Sequence, residues 1–70
     1  MLKVIFAGNW HEAKGYANDN EIPPNQWAFL GEDLRRFKGL RDVEVIRTGS
    51  YADRKDYQGI EEFIKIWRWE

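Results

Sequence analysis

The chain has 70 residues, no cysteine, and 11 basic and 12 acidic side chains interleaved to a net charge of −1. That length holds one small domain, residues 1–70, burying only about 60 % of its unfolded surface, with no disulfide or Cys-based metal site to supplement packing. The even charge argues against strong nonspecific nucleic-acid binding and weakens binding through stacking aromatics. The apolar run 4–7 is far too short to cross a bilayer, and the start of the chain lacks the apolar core of a secretory signal.

These features point to a soluble protein of the reducing cytoplasm. Its core must rest on its four Trp, three Tyr and four Phe, each of which buries a large area, or on a partner.

Leu2, Val4 and Phe6 alternate with Lys3, Ile5 and Ala7, and only Lys3 is polar. A strand apolar on both sides belongs inside a parallel sheet covered on both faces. Gly8 permits a tight turn after it. Asn9 followed by Glu12 makes a capping-box pattern for a helix beginning at Trp10. Trp10, Ala13 and Ala17 share one face of that helix, which should end near Asn18, because Asn18-Asp19-Asn20 favours turns and Pro23-Pro24 forbids continuation.

Residues 26–30 form a second, short strand, placed at an edge by the prolines before it. Glu32 and Asp33 suit the first turn of a short helix through Phe37, and Arg35, Arg36 and Lys38 suit its last turn. Gly39 is the stop signal, and Leu34, Phe37 and Leu40 give a narrow apolar stripe. Residues 43–47, Val-Glu-Val-Ile-Arg, are the plainest strand, and residues 48–51 leave it as a loop. Asp56 can cap a final helix from about Tyr57 to Trp69, with Ile60, Phe63, Ile64 and Trp67 on its buried face.

The resulting β-α-β-α-β-α order predicts an α/β domain of two or three layers. Its sheet is three-stranded and mainly parallel, in the order 2-1-3, half of a doubly wound, Rossmann-like arrangement. The connection from 18 to 24 is also long enough for an antiparallel second strand.

In open α/β sheets, ligands gather beyond the carboxyl ends of the strands, at the switch point beside the first strand. Gly8, Asn9, Trp10 and His11 would line that place from one loop, and Thr48, Gly49, Ser50 and Tyr51 from another. The helix N-terminus at Trp10 offers backbone donors to a nucleotide or phosphoanion. Against this, the loop is neither G-x-G-x-x-G nor a P-loop, and Trp10 is bulky where a phosphate would approach. Turn chemistry and a helix cap account for the same residues.

His11, the single histidine, stands where the helix dipole disfavours its protonated form. Ser50 lacks an activating base. Asp53 with Asp56, and Glu61 with Glu62, read as solvated carboxylates rather than metal or acid–base pairs. No catalytic residue, metal ligand or cofactor is expected. Arg54 and Lys55 read as ordinary surface charges.

Ile66, Trp67 and Trp69 crowd the C-terminal end. Trp67 belongs to the buried stripe, whereas Ile66 and Trp69 lie off it, and exposed Trp is enriched at protein–protein hot spots. Trp69 could equally fold over the end of the core.

The opening strand Val4-Ile5-Phe6-Ala7-Gly8-Asn9 with the helix after it, the Trp27-Ala28-Phe29-Leu30 strand, the Lys38-Gly39-Leu40-Arg41-Asp42-Val43-Glu44-Val45 run and Thr48-Gly49-Ser50-Tyr51-Ala52-Asp53-Arg54 together form a recognisable arrangement. It resembles short, mostly uncharacterised proteins encoded by bacteriophages, especially those of actinobacteria. The resemblance covers most of the chain, brings no set of functional residues with it, and leaves out the Trp-rich C-terminal end. It implies a setting, a phage protein in the host cytoplasm, where proteins of this kind often bind and redirect a host protein or have no known role. The leading expectation is therefore a non-enzymatic protein-interaction module, engaging a host protein or a second copy of itself as a homodimer. A minimal nucleotide- or phosphoanion-binding domain is the alternative.

Overall fold

In the computed structural model, which describes residues 2–31, 34–37, 39 and 42–68, the first strand is the centre of the molecule. β1 (Leu2–Phe6) lies between β2 (Trp27–Phe29) and β3 (Val43–Arg47), in the order β2-β1-β3, and both pairings are parallel. The long connection after the first helix thus delivers β2 parallel rather than antiparallel. Lys3 sits beside Trp27 and Glu44, and Ile5 beside Phe29 and Ile46.

Alternation along β1 sends its side chains into two separate cores. Val4 and Phe6 join Leu30, Phe37, Val43, Ile60 and Ile64 beneath helix α2 (Tyr57–Arg68). Ile5 and Ala7 join Ala13 and Ala17 of helix α1 (Trp10–Asp19), with Tyr16, Ile22, Trp27 and Phe29 at the margin. The sheet thus has a helix on each face. The Ala13 and Ala17 methyls let α1 lie close to the strands. Trp10 shares their stripe but stays 47 % exposed.

α1 begins as expected, with Asn9 Oδ1 accepting from the Glu12 N–H at 2.9 Å. It ends one residue later than Asn18, in a motif that the Asn-rich composition does not reveal. The Ile22 N–H reaches Ala17 O (2.8 Å) and the Glu21 N–H reaches Asn18 O (3.2 Å). Together these form a Schellman cap in which Glu21, at φ 56°, takes the left-handed position.

Two elements differ from the sequence reading. The helix expected through Phe37 is a four-residue 3-10 turn, Leu34–Phe37, since so short a piece offers too few bonds to offset α-helix nucleation. Phe37 is nonetheless buried. The strand expected over 26–30 is pared to three residues, because Pro24–Gln26 forms a 3-10 turn of its own. Glu32, Asp33, Lys38, Leu40 and Trp69 lie outside the described residues. No helix of the described residues is long and apolar enough to cross a membrane.

Candidate functional site

The loops after β1 and β3 meet, as expected of the switch point, but a side chain of the protein itself occupies their junction. Glu12, from the first turn of α1, accepts the Gly8 N–H (2.8 Å) and the Ser50 N–H (3.1 Å) on Oε1, and the Ser50 hydroxyl (2.8 Å) on Oε2. The Ser50 hydroxyl, then the Ser50 and Gly8 N–H groups, hold this carboxyl below its ordinary value of 4.5. In a capping box the glutamate turns back to the cap residue; here it staples two loops 38 residues apart.

The glycines explain why. A Cβ on Gly8 would stand 2.5 Å from Glu12 Oε1 and 2.6 Å from Ser50 Oγ, and one on Gly49 2.6 Å from the same Oε1. Gly49 also has φ +65°. The Gly8 and Ser50 N–H groups, which face the junction of the two loops, are therefore already bonded to a carboxylate. Asn9 is spent as the cap, and Thr48 continues the sheet, donating its N–H to Phe6 O at 3.0 Å. His11 is exposed, edge-on to Trp10 with ring centroids 5.5 Å apart.

Open space lies beyond β1 and β2, and it takes in Gly8, Asn9 and Trp10 of the residues expected at the switch point. A cleft of about 700 Å³ is lined by Gly8, Asn9, Trp10, Phe29, Gly31 and the segment 54–56. Arg54 is its most constrained side chain, and here the reading of an ordinary surface charge is corrected: only 9 % of the side chain is exposed. Nη1 donates to Ala7 O (3.1 Å) and Leu30 O (2.6 Å), the carbonyls just past the ends of β1 and β2. Nε and Nη2 each donate to Asp56 at 2.9 Å. The guanidinium also lies 5.4 Å from the centres of the Phe6 and Phe29 rings. Asp56 thus gives both carboxylate oxygens to Arg54 while standing just before α2, where its carbonyl accepts from the Ile60 N–H at 2.9 Å.

Arg54 eluded the sequence reading because its partners are two backbone carbonyls and two rings from distant segments. The one local signal was Asp56, two residues on.

Trp10 forms the rim of the cleft. Its indole lies 6.4 Å from that of Trp27, and Lys14 Nζ sits 5.1 Å from its ring. Trp10 and Ile66, the latter 77 % exposed, are the large apolar side chains most open to solvent among the described residues. They do not share a surface. α2 starts against Phe6, through Tyr57, and runs back along the sheet, so Ile66 stands a full helix length from the cleft. Trp67 packs on Phe37 and Phe63, at centroid distances of 6.0 and 5.3 Å. It therefore serves the core.

Against protein families, curated proteins and solved structures, the chain finds no match.

Proposed function

We propose that this protein is a non-enzymatic protein-interaction module and that its recognition surface is the cleft at the carboxyl edge of the sheet. The observation that carries this reading is the 47 % exposure of Trp10 beside a cleft walled by Phe29 and floored by Arg54. A 70-residue chain has few rings to spare from its core, and an indole held at the mouth of a cavity is the typical anchor of a protein interface. Arg54 keeps the floor rigid, so an inserted side chain meets a preformed site.

The partner is a protein segment carrying an apolar or aromatic side chain. The phage-like arrangement of the sequence favours a host protein in the host cytoplasm. Ile66 is a separate, smaller point of adhesion.

The test is affinity capture from bacterial lysate with the tagged chain and its Trp10→Ala and Ile66→Ala variants side by side. A protein retained by the wild type and by Ile66→Ala, and lost with Trp10→Ala, supports the reading. Equal retention by all three removes the cleft from it.

A second reading rests on the volume of the cleft, which is within the range of small-ligand sites, with Lys55 at its edge to meet an anion. On this reading a nucleotide or other planar anion sits beyond β1 and β2, not between the loops that Glu12 joins. Chemical-shift titration with nucleotides at millimolar concentration tests it: shifts at Gly8, Phe29 and Gly31 support it, and silence there rejects it.

A further inference from the structure

The side of the sheet away from the cleft carries a different feature. The α1-side core draws on β1, α1 and β2 and includes no residue of β3. Glu44 and Ile46 face that side, as the register beside Lys3 and Ile5 requires. Ile46 joins neither apolar cluster, although it is a half-buried aliphatic in the middle of a strand.

Along the outer edge of β3, the stretch from Val45 to Arg47 has no strand beside it among the described residues. Because the Thr48 N–H donates to Phe6 O, residues 44, 46 and 48 turn their backbone groups toward β1, and Val45 and Arg47 turn theirs outward. Among the described residues nothing bonds those outward groups.

Natural edge strands are usually guarded by charge, proline or a bulge. The β2 edge is short and follows Pro23 and Pro24. β3 has five residues without proline, and both its charges are neutralised inside the chain. Glu44 pairs with Lys3 Nζ at 3.0 Å, and Arg47 Nη2 pairs with Glu61 at 2.9 Å.

We infer that β3 pairs antiparallel with β3 of a second copy, about a two-fold axis at Ile46. This goes beyond the cleft reading and does not depend on it. An axis perpendicular to the sheet keeps each face on its own side, so opposed residue numbers sum to an even value. With the axis at Glu44, two carboxylates would stand opposite each other. With the axis at Val45, Ile46 would face the carboxylate of Glu44.

With the axis at Ile46, Val45 pairs with Arg47 of the second copy and Arg47 with its Val45. Each such pair makes two backbone bonds from the outward groups. Ile46 then meets Ile46 in the closest type of cross-strand pair, and Glu44 faces the hydroxyl of Thr48. The product is a continuous sheet in the order 2-1-3-3-1-2, with its two clefts at opposite edges.

The experiment uses the absence of cysteine in the chain. Directly opposed residues in a non-hydrogen-bonded antiparallel pair have Cα atoms about 4.5 Å apart, within disulfide reach. Ile46→Cys should therefore form a covalent dimer under mild oxidation, and Glu44→Cys should not. Light scattering should give the wild type twice the 8.4 kDa chain mass. Ile46→Lys should reduce it to one chain mass while its circular dichroism stays near wild type, because Ile46 supports neither core, and its melting temperature should lose the concentration dependence that dimerisation gives the wild type. A monomeric wild type at millimolar concentration, a larger oligomer, a dimer insensitive to Ile46→Lys, or equal cross-linking at positions 44 and 46 would each overturn the inference.

Discussion

Arg54 and Asp56, two residues apart, form a two-pronged ion pair, Nε to Oδ1 and Nη2 to Oδ2, both at 2.9 Å. The pair turns the remaining face of the guanidinium onto Ala7 O and Leu30 O. One side chain thereby ties the exits of β1 and β2 to the segment leading into α2. Arg54→Ala should lower stability by about 2–4 kcal/mol, since it orphans both carbonyls in a site where the arginine is nearly buried. Arg54→Lys should recover little, because an ammonium cannot reproduce the fork. Urea unfolding measures both, and unchanged midpoints would show that the tie is dispensable.

The Glu12 staple gives stability a dependence on acid. The carboxyl is held below its ordinary value of 4.5 by the Ser50 hydroxyl and the Ser50 and Gly8 amides. The unfolded chain therefore takes up the proton first as the pH falls. The contribution is complete above about 4.5 and is lost as the pH falls through the lowered folded value. Thermal melts of the wild type from pH 7 to 3 should fall on this limb. Glu12→Gln should start lower and lose less between pH 4.5 and 3. Parallel curves for the two proteins would show that Glu12 is not the titrating group.

Glycines separate by position. Gly49→Ala should destabilise by about 1–2 kcal/mol, because it puts a Cβ at positive φ and 2.6 Å from the Glu12 carboxylate. Gly15→Ala, in an exposed stretch of α1 with nothing within 4 Å of the new methyl, should stabilise by about 0.5–1 kcal/mol. Denaturant midpoints moving in the same direction for both would contradict this account of the loops.

Glu21 holds the left-handed position of the Schellman cap. Glu21→Gly should raise the unfolding free energy by about 1 kcal/mol, the cost of a side chain in that conformation, read as a higher denaturant midpoint. A loss on substitution would mean that the Glu21 side chain contributes more than its backbone costs.

The fold was legible where one residue type settles the outcome. The two-sided apolar pattern of β1 specified a covered central strand, and the order β2-β1-β3 followed from the alternation of elements. Asn9 and Glu12 marked the start of α1, and the spacing of Ile60, Phe63, Ile64 and Trp67 marked the inner face of α2. What escaped depends on partners distant in the chain. The capping pattern named Glu12 but not Ser50, 38 residues away. Nothing near Arg54 announced Ala7 or Leu30. The place of the open cleft, beyond β1 and β2 rather than β1 and β3, follows from those two side chains. The first fills one crevice and the second floors the other.

The most direct test of the account is the affinity of the captured partner for the wild type and for Trp10→Ala, measured by titration calorimetry. Trp10 is half outside the core, so its removal should cost at most about 1 kcal/mol in folding stability. As an interface anchor it should contribute about 2 kcal/mol or more to binding, or roughly a 30-fold loss of affinity. Such a loss in a variant that still folds is the predicted result. Affinity within about twofold of wild type would contradict the assignment of the cleft as the recognition surface.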